Sequence, residues 1–217
     1  VASTLFYGNE GTEPEAFTGF SPRFNDLAAE NADNIIAGGG SGTDNASIWL
    51  VVWGPQTCHG IVPKGSKAGL QVTDKGQVTV EDASDGSNTG RYEAYRTHYR
   101  WDVGLTVRDW RYVVRIPNID KSLLSAVFNA GTFASGANLP DLMFQSMRLI
   151  PNLNAGRASF YMSRDIASTV SRQKAAMGLS SFTEAENVSG DQRWTERFNG
   201  IPMRRVDALS ADEALVT

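Results

Sequence analysis

A chain of 217 residues, 41% hydrophobic and 20% charged, carries enough apolar surface to bury a core, which excludes a disordered polypeptide. Its 20 Lys and Arg against 24 Asp and Glu give a formal net charge of -4, so no global field draws a nucleic-acid backbone onto it. A single cysteine, Cys58, excludes an intrachain disulfide, and no apolar run reaches the length of a membrane-spanning helix.

In chain order, Val1 to Tyr7 reads as the last turns of a helix that Gly8-Asn9 ends in left-handed conformations. Glu10 to Ser47 has little periodicity and is punctuated by Phe17, Phe20, Pro22 and Phe24. Within it, Leu27 to Ile36 allows a short helical turn, and Gly38 to Thr43 reads as a flexible turn without the Gly-Lys-Ser/Thr ending of a phosphate loop. A connection this long is functional or packs on another surface. Ser47 to Gly54 (SIWLVVWG) predicts a strand covered on both faces. Leu70–Thr73 and Gln77–Val80, flanking Asp74-Lys75-Gly76, read as a small hairpin, and Glu81 to Gly90 as a solvated polar tip.

From Arg91 the pattern alternates. Tyr95, Thr97, Tyr99, Trp101, Val103, Leu105 and Val107 point one way, and Arg96, His98, Arg100, Asp102, Thr106 and Arg108 the other. A uniform strand from Tyr92 to Val107 would be about 50 Å long. The alternation continues to Ile116 with a bend or bulge at Arg108-Asp109, and a sheet apolar on one face and charged on the other suits lying against a neighbour. Three helices are predicted next: Lys121 to Asn129 capped by Asp120, a second capped by Asn138 with Pro140 in its first turn, and a third capped by Ser163 behind a short strand at Ala158–Met162. The third buries Ile166, Ala167, Val170 and Met177. After a polar stretch, Ser180 to Gln192, Gly200 to Val206 reads as a final strand, and Ser210 caps a short helical segment at Ala211–Ala214.

The usual catalytic constellations are absent or badly placed. Adjacent Cys58 and His59 point to opposite faces of an extended chain, a poor start for a tetrahedral zinc site. His98 stands between Arg96 and Arg100, which oppose any imidazolium and spoil it as a general base for a thiol. No Gly-x-Ser-x-Gly elbow is present. Asp102 and Asp109 read as interstrand or intersubunit ion-pair partners in preference to glycosidase acids, and Asp82 and Asp85 lack calcium-loop spacing. The five tryptophans read as core or interface anchors in preference to a carbohydrate platform.

Several segments read together: Leu5-Phe6-Tyr7-Gly8-Asn9, Gly19-Phe20-Ser21-Pro22-Arg23-Phe24, Ser47-Ile48-Trp49-Leu50-Val51, His59-Gly60-Ile61-Val62-Pro63-Lys64-Gly65, Trp101-Asp102-Val103-Gly104-Leu105, Arg108-Asp109-Trp110-Arg111, Arg115-Ile116-Pro117-Asn118-Ile119 and Gly200-Ile201-Pro202 through Asp207. In this order and spacing the series resembles the major capsid proteins of short-tailed bacteriophages with the HK97-like shell fold. The resemblance implies an α+β fold with an elongated peripheral sheet and a compact α/β axial domain. Residues 1–117 would hold the end of the spine helix and the peripheral and loop region, and residues 118–217 mainly the axial domain, with the final strand returning toward the periphery. It also implies that an N-terminal arm, an extended loop and most of a spine helix precede Val1.

The function implied is a noncatalytic major capsid protein, without cofactor or metal, that self-assembles as hexamers and pentamers into an icosahedral shell. Portal and scaffolding or cementing proteins would be its partners, packaged DNA would meet the wall without sequence-specific recognition, and no membrane would be involved. The shell would assemble in the host bacterial cytoplasm and persist in the virion. On this reading Phe17, Phe20, Arg23, Phe24, Arg100, Trp101, Asp102, Arg108, Asp109, Trp110, Arg111 and Arg115 anchor packing or intersubunit contacts. The alternatives are a cementing or accessory shell protein, and a carbohydrate-binding or carbohydrate-hydrolysing phage surface protein.

Overall fold

A computed structural model describes residues 2–82, 90–129, 132–178, 183–188, 191–210 and 212–217. Residues 83–89 of the polar tip, Asp85 among them, and parts of the expected stretches at 180–192 and 211–214 lie outside those residues, whereas Glu81, Asp82 and Gly90 lie in strands. The chain forms two compact units, one of Val1–His59 with Leu105–Thr217 and one of Gly60–Gly104. The expected boundary at 117/118 falls inside a strand of the first unit.

The elements of the larger unit are α1 (Ala2–Tyr7), β1 (Asn45–Trp53), the start of β2 (Cys58–Ile61), and, beyond β3 (Gln71–Asp82) and β4 (Gly90–Arg100) of the smaller unit, β5 (Gly104–Val107), β6 (Val113–Asp120), β7 (Phe128–Asn129) and β8 (Thr132–Phe133). Helix α2 (Leu139–Leu149), β9 (Arg157–Met162), α3 (Arg164–Ala176), β10 (Thr183–Val188), β11 (Asp191–Phe198) and β12 (Ile201–Arg205) complete it. This is a mixed α+β architecture around one sheet of order β10-β11-β12-β9-β1-β2-β5, with β6 also paired to β1.

β1 is the middle of the fold because its sequence leaves it no solvent face. Ala46, Ile48, Leu50 and Val52 enter one cluster with Val114, Ile116, Phe160, Met203 and the inner faces of α2 (Leu139, Met143) and α3 (Ile166, Ala167, Val170). Trp49 and Val51 enter a second cluster on the other face with Phe6, Phe20, Phe24, Ile35, Leu105, Val113 and Leu209. Each alternate residue of the continuous apolar run therefore has its own core to enter. β9 and β6 run antiparallel to β1, while β12 runs parallel to β9. The final strand is thus a sheet neighbour of β9.

Local rules predict the two long helices well. The Asn138 side chain accepts from Asp141 N at 3.3 Å, and Pro140 occupies the first turn of α2. Ser163 occupies the cap position of α3 without making a side-chain cap bond, and Gln173 and Lys174 are buried where the pattern predicts Met177 as the last buried residue. Gln173 donates to Ser125 O at 2.8 Å and Ala137 O at 2.9 Å while accepting from Leu139 N at 3.0 Å, which pins the segment ahead of α2. Lys174 lies 4.4 Å from the Phe198 ring centroid, and burial pushes its ammonium down to about 8.

Three predicted helical or turn segments fold differently. After Asp120, whose carboxylate accepts from Ser122 N and Leu123 N, the chain makes a turn and no helix, and Leu123 and Val127 are exposed. Around Ser210 a side-chain turn replaces the expected helix, with Asp212 N donating to Ser210 Oγ at 3.1 Å and Glu213 bridging to Asn45. Asp74-Lys75-Gly76 is a bulge inside β3 and not a hairpin turn, with Gly76 at φ 68° supplying the left-handed residue.

The glycine-rich stretch at 38–42 is held against β6. Gly38 N donates to Pro117 O and Gly40 N to Asn118 O, each at 2.8 Å. A Cβ on Gly40 would come 2.7 Å from Asn118 O and from Asp120 Cβ, so these glycines allow backbone to lie on backbone. Gly40→Ala is therefore expected to destabilise the protein by about 1–3 kcal/mol, read as a lower urea midpoint at unchanged slope, whereas Gly39→Ala meets no neighbour. Because Gly39 has φ 80°, its alanine variant tests backbone strain alone.

Candidate interaction surface

In the Gly60–Gly104 unit, β3 and β4 pair antiparallel, with Val72 opposite Tyr99, Gln77 opposite Tyr95 and Thr73 opposite His98. Directly opposed residues share a face, so Val72, Tyr95 and Tyr99 lie on one side and His98 and Arg100 on the other. Leu70 and Trp101 flank the apolar side just beyond the strand ends. The alternation predicts this side to be covered, yet Tyr95 is 83% exposed, Tyr99 65%, Leu70 and Val72 57% each and Trp101 45%. The expected continuous strand is also interrupted: β4 stops at Arg100 and β5 starts at Gly104.

A two-stranded hairpin alone is marginal in water, and five large apolar side chains in one neighbourhood are more than scattered surface hydrophobes. Beside them Arg100 Nε donates to Asp102 Oδ1 at 2.9 Å and Ser66 Oγ to Asp102 Oδ2 at 3.2 Å. The bond from Arg100 holds the Asp102 carboxyl below the usual carboxylate range. Asp109 is likewise held low by Arg111, whose Nη2 lies 2.7 Å from Asp109 Oδ2, and Asp109 also caps the turn at Trp110–Tyr112. A glycosidase acid needs its carboxyl pushed the other way, so neither aspartate suits that work.

The other expected anchors divide by burial. Phe20 and Phe24 are enclosed within this chain, their ring centroids 5.7 and 6.2 Å from that of Trp49, and half-buried Phe17 packs against the same cluster. Arg23 is exposed and donates back to Gly19 O and Thr18 O, bracing its own loop. Arg108, Trp110 and Arg111 are exposed. Arg115 is buried, with its guanidinium carbon 5.0 Å from the Trp49 ring centroid, and donates to Phe24 O at 2.7 Å, Ser47 Oγ at 3.2 Å and Glu213 Oε2 at 2.7 Å.

Sequence reasoning missed Glu213 and Ser47 as partners of Arg115, and Tyr7 as a partner of Glu213. Tyr7 Oη donates to Glu213 Oε1 at 2.5 Å, and Ser47 Oγ donates to Glu213 Oε2. The signal present was a lone cation in the fully buried run Val113–Asp120, which demands a buried anion somewhere. Cys58 is also fully buried, and desolvation pushes its thiol up to about 12, so it has the character of a packed hydrophobe and not of a nucleophile. Among the described residues no three His, Cys, Asp or Glu side chains cluster to hold a metal ion, and no helix is long and apolar enough to cross a membrane.

Compared with models of protein families, residues 1–217 match the family described as Major capsid protein GP7. The chain belongs to the major capsid protein GP7 family. Among solved structures, this major capsid protein chain is similar to a chain in a near-atomic cryo-EM structure of bacteriophage Epsilon15, at 30% identity and a TM-score of 0.57. The match covers 100% of this chain and 63% of the Epsilon15 chain. A comparison with curated proteins gives no match. The family is described as one of major capsid proteins, which agrees with the first functional expectation and not with the cementing or carbohydrate alternatives.

Proposed function

We propose that this chain is part of a subunit that self-assembles into an HK97-like icosahedral shell around double-stranded phage DNA. The family match over residues 1–217 carries the reading, and the uncovered aromatic side of the β3–β4 hairpin supports it. Hexamers and pentamers of one sequence use heterologous contacts, in which one patch meets a different patch on the next copy. The open face at Tyr95, Tyr99 and Trp101 and the exposed group Arg108, Trp110 and Arg111 are our candidates for such patches. In this proposal the sheet with α2 and α3 is the compact axial body, and Gly60–Gly104 supplies peripheral sheet. A net charge of -4 suits a wall that contains DNA without gripping its phosphates. Portal and scaffolding or cementing proteins complete the particle, which assembles in the bacterial cytoplasm and persists as the virion.

The test is electron microscopy of the full-length protein expressed with its native assembly partners. Closed shells of uniform diameter are expected, and a population of monomers without shells would overturn the proposal.

A further inference from the structure

The β3–β4 hairpin has a second face, opposite the one that bears Tyr95 and Tyr99. Strand alternation puts Arg96, His98 and Arg100 on it in a row, and the β3 residues across from the last two, Thr73 and Gln71, carry no charge. Lys67 joins the row at its base, because Lys67, Gln71 and Arg100 line one shallow hollow with Gly65, Ser66 and Asp102. Asp102 is engaged there by Arg100 and Ser66. Lys67, Arg96 and His98 are exposed, and no carboxylate of the described residues forms an ion pair with Lys67 or Arg96.

The opposite charge is unmet elsewhere. The loop after α1 holds Glu10, Glu13 and Glu15 in exposed positions, with no Lys or Arg from Asn9 to Pro22, and no cation of the described residues pairs with any of them. The loop is folded on itself. Thr12 N and Glu13 N donate to Asn9 O at 3.1 and 2.9 Å, Gly11 N to Asn9 Oδ1 at 2.9 Å, Ala16 N to Glu13 O at 2.9 Å, and Gly19 N to Gly8 O at 2.8 Å. Carboxylates carried on backbone that is already fixed lose less freedom on binding than those of a loose tail.

We propose that the basic row of the hairpin, Lys67, Arg96 and His98, receives the acidic loop Asn9–Glu15 of a second copy of this chain. The inference rests on the self-assembly proposed above and names two of the surfaces that meet.

Cations in a row and carboxylates in a loop each repel their own kind, and joining the two relieves both. The sizes agree. Arg96 to Arg100 spans roughly 13 Å at about 3.3 Å per residue, and Glu10 to Glu15 can span at most about 17 Å. Because the two surfaces differ, each copy that gives its loop to one neighbour keeps its row for another, which is how rings and shells grow. The contact also steadies the hairpin from the side opposite the tyrosines, where a two-stranded ribbon has little of its own to hold it. Packaged DNA is the competing partner for a basic row. Phosphates call for a longer basic track, whereas Glu93 and Asp102 bracket this one in sequence and the chain carries a net charge of -4.

The test is sedimentation and electron microscopy of the full-length protein expressed with its native assembly partners, across a concentration series. Lys67→Glu with Arg96→Glu, and separately Glu10→Lys with Glu13→Lys and Glu15→Lys, are each expected to raise the concentration needed for assembly about tenfold or more. Both sets in one chain restore opposite charges and are expected to return assembly to within about threefold of wild type. If the combined variant assembles no better than its parents, the two surfaces do not meet and the proposal fails. If the hairpin variant assembles as wild type and differs only in weaker, salt-sensitive binding to double-stranded DNA, the row faces DNA and the proposal fails as well. Wild type that sediments as oligomers without closed shells overturns the shell reading alone, since the same charge comparison still reads the contact, and wild type that stays monomeric overturns both. Should a reversed variant not fold, Arg96→Gln and Glu13→Gln decide: each weakens assembly, and the two together weaken it no further than either alone, whereas additive losses overturn the proposal.

Discussion

Replacing Trp49 with alanine is expected to remove about 3–5 kcal/mol of folding stability, comparable to the whole margin of a weakly stable domain. Trp49 is fully buried in the middle of β1, with ring centroids of Phe6 at 6.0 Å, Phe20 at 5.7 Å and Phe24 at 6.2 Å around it. These rings come from α1 and from two points of the loop that follows it, so the cavity would open under three segments that have no sheet of their own to hold them. The rings cannot collapse inward without dragging that backbone, and the cost therefore falls at the upper end for its class. Trp49→Phe provides the control. Among the described residues Trp49 Nε1 is buried with no hydrogen-bond partner, so the smaller ring removes an unsatisfied donor while it opens a smaller gap. Its expected loss is under about 1.5 kcal/mol, and urea unfolding of the two variants against wild type checks the difference. Equal losses would mean that a phenyl ring restores none of the packing that the indole supplies.

This packing explains which parts of the fold were legible in sequence. SIWLVVWG announces a strand with two covered faces because every residue from Ile48 to Trp53 is apolar, and β1 lies between two cores for that reason. Asn138 and Ser163 announce helix starts because a cap is chosen by residues within one turn of it. Glu213 was illegible: its partner Arg115 lies 98 residues away, and the local pattern Ser210 to Ala214 favours a helix that the pull of the buried cation overrides. The glycines at 38–42 were misread because composition reports freedom of backbone and not what the backbone lies against.

The hairpin was half legible. Alternation correctly separates Tyr95 and Tyr99 from Arg96 and His98, but burial of one side is a property of what stands opposite, and period alone cannot supply that. If neighbouring copies cover the side bearing Tyr95 and Tyr99 in the shell, Tyr95→Ser is expected to remove about 2 kcal/mol or more per contact, the scale of a central aromatic anchor. That corresponds to roughly thirty-fold more protein before particles appear, and Tyr95→Ser with Tyr99→Ser together would leave no shells at ordinary concentrations. Tyr95→Phe keeps the ring and is expected to assemble nearly as wild type, because area and shape carry the contact and the hydroxyl sits at its margin. Folding is a separate readout: both side chains are mostly exposed in the isolated chain, so urea midpoints of the unassembled variants stay within about 0.5 kcal/mol of wild type. Particle counts by electron microscopy across a concentration series distinguish the outcomes. Shells forming at the wild-type concentration in the double variant would remove the hairpin face from the assembly contacts, and a fall in the unfolding midpoint would instead place those tyrosines against another part of their own chain.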